Sequence, residues 1–246
     1  LSLNVWPFLL LAAVLVPALW RTERTAADPI LRTSLFTRRQ IALTAALAAG
    51  AGLAEAAIVF VPELVVAAFK VSESRASFML LPIVLAMAVG SPASGRVLDR
   101  AGSRVVVLAG SGLVALGTLL LSMFATSLVM FYVSTVLFGL GLAVLLGAAL
   151  RYIMLNEAPA SERAAAQAIL TIFTSVGQLV GGALAGAIAG SRGGGVGGYT
   201  ASFLIIGLVM VVLTLAALGL KGRAAELAQL AHSTAERGEA RRPAQV

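Results

Sequence analysis

The sequence predicts an all-α membrane protein with about seven transmembrane helices, and two properties support that fold class. Of its 246 residues, 59% are hydrophobic and 12% are charged, whereas a water-soluble domain carries about 25% charged residues. A chain of this composition lacks the polar surface that a soluble globule needs. The apolar residues also fall into seven runs, each near the roughly 20 residues that a helix needs to cross the hydrocarbon.

The seven runs follow one another with no long soluble segment between them. They cover residues 1–20, 41–68, 76–94, 105–124, 128–150, 164–190 and 199–220. We expect a leading span (1–20), a cytoplasmic linker (21–40) in which residues 31–36 form a short surface helix, a six-helix bundle (41–220) and a basic cytoplasmic tail (221–246). No charged leader or cleavage site precedes the first run, and the chain begins at Leu1, so we expect it to be truncated at its N terminus.

The placement of positive charge predicts the orientation of these helices. Cytoplasmic loops of membrane proteins are enriched in arginine and lysine. If the loop at residues 95–104 is cytoplasmic, alternation of the spans leaves only Lys70, Arg75 and Arg192 on the other side. The cytoplasmic cations are then Arg21, Arg24, Arg32, Arg38, Arg39, Arg96, Arg100, Arg104, Arg151, Arg163, Lys221, Arg223, Arg237, Arg241 and Arg242. We expect a multi-pass protein of the cell (inner or plasma) membrane, with its N terminus outside and its C terminus cytoplasmic.

The loop at residues 95–104 holds three arginines, one aspartate and two glycines between two apolar runs. Because arginines cannot lie in hydrocarbon, we expect a tight turn between two helices at the membrane surface. Its pattern resembles the Gly-x-x-x-Asp-Arg-x-Gly-x-Arg signature loop that major facilitator superfamily transporters carry between the second and third helices of each half. The matching residues are Gly95, Asp99, Arg100, Gly102 and Arg104. Ser103 departs from the family pattern, which usually has a second basic residue there.

The wider resemblance is to the fourteen-span drug:proton antiporter group of that superfamily. A leading span followed by the linker pair Glu23-Arg24 is similar to the segment that precedes its C-terminal half, and residues 139–182 are similar to its last three helices. The resemblance implies that the chain consists of the C-terminal half of such a transporter plus the one span that precedes that half. It also implies proton-coupled multidrug efflux, in which an antiporter exports amphiphilic drugs or related small molecules by alternating access. The partners would be the lipid bilayer, the substrate, protons and the missing N-terminal half.

A polar stripe runs along the sixth span. Gln167, Thr171, Thr174 and Gln178 are spaced i, i+4, i+7 and i+11, so they share one face of a helix. Polar side chains facing lipid are costly. The stripe therefore either bonds neighbouring helices or lines a water-filled cavity. In the resembled family this span lines the central cavity, which implies that the four side chains face the side where the other half docks.

Glu55 is the one ionisable residue well inside a span. It lies fifteen residues, or roughly 22 Å, along the helix from Gln40. An ionised carboxylate at that depth costs a few kcal/mol, so Glu55 should be protonated or face water or a polar partner. It can bind a cation or carry a proton, as an exchange of protons for cationic amphiphiles requires. The structural alternative is a protonated Glu55 that bonds a neighbouring helix and only contributes to packing.

Asp99 is expected to accept hydrogen bonds from free amides at a nearby helix N terminus, where the helix dipole favours negative charge. The resemblance implies that it locks one conformation against a helix of the other half. Arg100 and Arg104 would hold Asp99 or face lipid phosphates. The alternative is a charged turn that only sets the topology.

The glycines of the sixth span predict close helix packing. Gly177 and Gly181 lie four residues apart, and Gly182, Gly186 and Gly190 repeat the same spacing. Small residues at such intervals let two helix backbones approach each other in lipid.

We expect no catalytic, cofactor-binding or metal-binding residues and therefore no enzyme. The sequence has no cysteine and a single histidine, which does not suit a thiol nucleophile or a cluster of metal ligands. The arginines lie at span ends rather than on one face, so nucleic acid is not an expected partner. A seven-span receptor or sensor is the alternative to a transporter. A retinal-binding receptor is disfavoured, because retinal binding requires a lysine inside the membrane and Lys70 and Lys221 lie at span ends. A receptor for another ligand remains an open alternative.

Overall fold

The computed structural model describes Arg21 and residues 33–228, and all regular secondary structure in this part of the chain is helical. The expected leading span, most of the linker and the end of the tail lie outside the described residues. A short helix, Thr33–Phe36, lies within the range expected for the surface helix.

Six helices among the described residues are long and apolar enough to cross a membrane. They are α1 (Arg39–Phe69), α2 (Glu73–Ala101), α3 (Ser103–Met123), α4 (Leu128–Glu157), α5 (Ala160–Ser191) and α6 (Gly195–Ala217). The all-α fold class and the six expected spans of the bundle are therefore confirmed. The largest boundary differences are at the ends of two helices: α2 continues to Ala101 rather than ending at residue 94, and α4 continues to Glu157 rather than ending at residue 150.

Two of these helices are locally interrupted next to charged residues. In α1 a 3₁₀ turn, Ala57–Phe60, follows Glu55, because Pro62 has no amide hydrogen for the preceding turn. In α4 a π-helical segment, Leu145–Ala149, contains Gly147 in a non-helical conformation with ψ −142°. Such single π turns bend a helix and often lie at functional sites. Arg151 lies one turn beyond this bend.

The helices pack in a defined neighbour order. α1 packs mainly against α5, and α3 packs against both α4 and α6. α2 packs mainly against α4. The α3–α4 contact is close because Gly117 and Gly141 face the backbone of the opposite helix, as expected where association in lipid depends on small residues. The largest side chains of the core include Phe131, Phe138 and Phe203.

Two spans are more open than the rest. The most apolar windows of α2 and α5 are only 22% and 28% buried, against 39% to 50% for the other four spans. On α2 the exposed side chains include Leu85 and Val89. On α5 they include Val176 and Leu179. Each of these two helices therefore has a face that no other described helix covers.

We call one end of the bundle the basic end: the start of α1, the α2–α3 junction, the α4–α5 link and the residues after α6. Among residues 33–228, this end holds Arg38, Arg39, Arg96, Arg100, Arg104, Arg163, Lys221 and Arg223, whereas Lys70, Arg75 and Arg192 lie at the links on the other side and Arg151 lies within α4, six residues before its end. The residues after α6 tie this end together. The Gln40 side chain donates to Gly219 O at 3.0 Å and accepts from the Lys221 amide at 3.0 Å. Lys221 Nζ in turn pairs with Glu157 of α4 at 2.6 Å.

Candidate functional site

The signature loop is almost entirely helical. Residues 95–101 continue α2, and the next helix begins at Ser103. Gly102 alone forms the junction, with φ +85° and ψ 168°. The expected tight turn between two helices is present, but it is a single residue long, because only Gly102 leaves the helical conformation.

The residues after α6 contact this junction. The two carboxylate oxygens of Glu226 accept hydrogen bonds from Ser103, one from its hydroxyl and one from its amide at 3.4 Å. The Arg223 guanidinium donates to Leu98 O, the last turn of α2, at 3.5 Å. Glu226 thus caps the N terminus of α3, where a negative charge is favourable. Ser103, at which the sequence departs from the family pattern, donates both of these hydrogen bonds to Glu226.

Asp99 does not make the expected bonds to helix amides within the described part of the chain, because Glu226 occupies that position. Asp99 and Arg100 are exposed at the basic end, and Arg104 is half-buried. No ion pair joins Asp99 to either arginine among the described residues. The Asp99 carboxylate is thus available to a segment outside this bundle, and its role in locking a conformation stays a prediction.

Glu55 of α1 has a polar partner on α5. Gln178 Nε2 donates a hydrogen bond to Glu55 Oε2 at 2.7 Å, and both side chains are half-buried. They border a cavity of about 510 Å³, whose other lining residues are Ala56, Ile58, Val59, Phe60 and Gly182. We call it the Glu55 cavity. Within the described part of the chain, its only charged lining group is the Glu55 carboxylate, and the other lining residues are apolar apart from Gln178.

The close approach of α1 and α5 brings Glu55 and Gln178 together. A Cβ added at Gly177 would lie 2.7 Å from the carbonyl carbon of Ala49, and one at Gly181 would lie 2.7 Å from Leu53 Cα. Real Cβ atoms do not approach other atoms so closely, so the two backbones touch only because both positions are glycine. Gln178 follows Gly177 directly, and Glu55 follows Leu53 by two residues. The predicted packing role is confirmed for Gly177 and Gly181, but it is wrong for Gly182 and Gly190, where an added Cβ would have no atom within 4 Å.

A second cavity, of about 240 Å³, lies between α4 and α5. We call it the Arg151 cavity. From α5 it is lined by Leu170, Thr171, Thr174, Ser175 and Gln178, and from α4 by Leu145, Leu146, Gly147, Leu150 and Arg151. Gln178 borders both cavities, so the two are neighbours along α5.

The polar stripe combines the two roles that the sequence left open. Gln178 bonds α1 through Glu55, and Gln167 Nε2 bonds α4 by donating to Arg151 O at 3.1 Å. Thr171 and Thr174 line the Arg151 cavity, while their hydroxyls donate to carbonyls of their own helix. The stripe therefore faces α1, α4 and the cavities. That it also faces a docked second half stays a prediction.

Three polar groups of the helical bundle were not identified from the sequence. Arg151 was assigned to a loop, because its charge interrupts the apolar run, but it lies within α4. Ser175 lies four residues after Thr171, so the helical spacing of the stripe was enough to find it. Glu63 was not singled out, yet its carboxylate lies near the Tyr199 hydroxyl of α6.

Two comparisons with known proteins bear on this bundle. The family model described as Major Facilitator Superfamily matches residues 41–244, which include all but the first two residues of α1 and the whole of α2 to α6. The chain is also 27% identical over 157 residues to a protein of Bacillus subtilis (strain 168) named "Uncharacterized MFS-type transporter YfiU". That alignment covers 64% of this chain and 30% of the relative. The aligned part of the chain therefore corresponds to less than a third of the relative's length.

Proposed function

The chain belongs to the Major Facilitator Superfamily, and we propose that it is the C-terminal half of a secondary active transporter that exports amphiphilic drugs or related small molecules in exchange for protons. Transporters of this design bind substrate near the bilayer midplane, between two halves that rock against each other. Membership of this family does not favour the seven-span receptor.

The hydrogen bond between Glu55 and Gln178 carries this proposal. It places a carboxylate and an amide beside the Glu55 cavity within the membrane-spanning helices, and the amide also borders the Arg151 cavity. An ionised carboxylate in such a place is expensive unless a polar group or a cation faces it. The pair therefore suits a site that alternates between a proton and a cationic ligand.

Proton exchange follows from competition for one carboxylate. When Glu55 is ionised, it accepts the bond from Gln178 and attracts a cation in the Glu55 cavity. When Glu55 is protonated, its hydroxyl can donate to the amide oxygen of a reoriented Gln178, and the attraction for a cation is lost. Because the carboxylate holds either the proton or the cation, binding of one releases the other, as antiport requires.

The open faces of α2 and α5 support a docked N-terminal half. Their exposed apolar side chains would suit lipid, but α5 also exposes Thr171 and Ser175 beside the Arg151 cavity. Polar side chains that face lipid are costly. We therefore assign this side of the bundle to the interface with the other half, and the basic end to the cytoplasm.

The substitution Glu55→Gln, made in the complete transporter, tests the proposed function. Transport of the cation ethidium into proteoliposomes should fall at least about tenfold, because a charged partner of a ligand is worth about 1.5–3 kcal/mol. The remaining transport should no longer respond to an imposed proton gradient. Glu63→Gln is the matched control, since it removes a second carboxylate from α1 that does not line the Glu55 cavity. Unchanged, gradient-driven ethidium transport by Glu55→Gln would leave Glu55 as a packing residue.

Asp99→Asn tests the locking role of the signature loop. We expect normal insertion and thermal stability, because Asp99 makes no bond within the described bundle, but transport rates reduced at least about tenfold by the loss of a charge-assisted bond to the other half. The control is Glu73→Gln, which neutralises an exposed carboxylate at the opposite end. Transport by Asp99→Asn at the wild-type rate would reduce the loop to a charged turn that sets topology.

A further inference from the structure

The Arg151 cavity has a charge opposite to that of the Glu55 cavity. Among the described residues, Arg151 is the one charged residue that lines it, and no carboxylate borders it. Arg151 is exposed, so its charge is accessible to a ligand that enters the cavity. The two neighbouring cavities therefore favour different ligand charges.

The Arg151 guanidinium is not used by the bundle. Among the described residues its side chain makes no hydrogen bond or ion pair, and only its backbone carbonyl accepts a bond, from Gln167. A guanidinium presents five N–H donors in a planar fork that matches carboxylate, sulfonate and phosphate oxygens. These donors are therefore available to a ligand in the cavity.

A second donor faces the cavity from the opposite helix. The hydroxyls of Thr171 and Thr174 are donated to carbonyls of α5, so their hydrogens are not available. Ser175 also lines the cavity, and in the described part of the structure its hydroxyl has no partner. Arg151 from α4 and Ser175 from α5 thus supply donors from two sides.

The position of Arg151 is not explained by topology alone. Arg151 lies six residues before Glu157, the end of α4, which is roughly 9 Å along the helix. By contrast, Arg163 is exposed at the first α-helical residue of α5, directly after a 3₁₀ turn, and it lines neither cavity. An arginine at a helix end is enough to orient a span. Arg151 instead lies just beyond the bend at Gly147, and its side chain borders the cavity.

We propose that Arg151 and Ser175 form a subsite for an anionic group, a carboxylate, sulfonate or phosphate, of the transported amphiphile. The apolar part of that molecule would lie against the leucines of the cavity, Leu145, Leu146, Leu150 and Leu170. This assignment rests on the proposed transport function, because it identifies the anion as part of the substrate. It adds anionic or zwitterionic amphiphiles to the cationic ones that Glu55 accommodates.

Equilibrium binding of two ring-matched probes to the complete transporter tests this subsite. The probes are 2-naphthalenesulfonate and trimethyl(2-naphthyl)ammonium, measured with protein in phosphatidylcholine nanodiscs. Arg151→Gln should weaken sulfonate binding about tenfold, and Ser175→Ala about threefold, as expected for a charged and a neutral hydrogen bond. Neither change should alter binding of the ammonium probe. Arg163→Gln is the matched control and should leave both affinities unchanged.

The outcomes separate this proposal from the proposed function. Binding needs no proton gradient, so a failure of Glu55→Gln to alter transport would leave the sulfonate result standing. If Arg151→Gln binds the sulfonate as tightly as the wild type, or if its affinity for both probes falls equally, the subsite proposal is wrong. The proposal of proton-driven export is not affected by either result. Displacement of the sulfonate by added phosphatidylglycerol would assign the anion to a lipid headgroup and overturn its assignment to the substrate.

Discussion

Replacing Gly177 with alanine should destabilise the bundle by about 3 kcal/mol, the upper end of the usual cost of overpacking. The new Cβ would lie 2.7 Å from the carbonyl carbon of Ala49 and 2.9 Å from its Cα. These are backbone atoms, which cannot rotate away as a flexible side chain can. α1 and α5 must therefore separate, and the bond between Gln178 and Glu55 must lengthen or break.

Thermal unfolding of the complete transporter, followed by its helical circular dichroism, measures this effect. Gly182→Ala is the matched control, because it makes the same substitution on the same helix, where an added Cβ has no atom within 4 Å. Since alanine is the better helix former, Gly182→Ala should be neutral or slightly stabilising. Equal unfolding midpoints for the two variants would contradict the close α1–α5 contact.

The spans were predictable because hydrocarbon sets both their length and their composition. The run at residues 105–124 corresponds closely to α3, Ser103–Met123, since polar or turn residues mark both ends. The run at 128–150 ended too early, because hydropathy detects where charge begins and not where the helix ends. Backbone hydrogen bonds continue α4 to Glu157, and Pro159 then prevents further α-helix. Arg151 was misplaced for this reason.

The residues of the site were easier to predict than the contacts between them. Glu55 and Gln178 were both identified from polarity within apolar runs, but they lie 123 residues apart in sequence. Their pairing depends on how α1 and α5 are rotated and aligned, which the contacts of Gly177 and Gly181 determine. Glu226 gave no signal at all. It lies beyond the last apolar run, and its capping role depends on the contact of the residues after α6 with Ser103.

Gly102→Ala should destabilise the protein by about 2 kcal/mol. The φ of +85° and ψ of 168° at Gly102 lie in a region that is almost restricted to glycine, with a cost of about 1–3 kcal/mol for other residues. The site is also crowded, since an added Cβ would lie 2.9 Å from Arg223 Cβ and 3.1 Å from Glu226 Oε2. Relieving this contact would move Glu226 away from Ser103 and leave the N terminus of α3 without its cap.

The other signature glycine provides the control for this prediction. Gly95 lies within α2, and an added Cβ there has no atom within 4 Å. We expect Gly95→Ala to keep or raise the unfolding midpoint, because alanine stabilises a helix interior by up to about 1 kcal/mol relative to glycine. The two variants of one motif should therefore shift the midpoint in different directions. If Gly102→Ala unfolds at the same temperature as Gly95→Ala, then neither the backbone conformation at Gly102 nor the contact of Glu226 holds the α2–α3 junction in place.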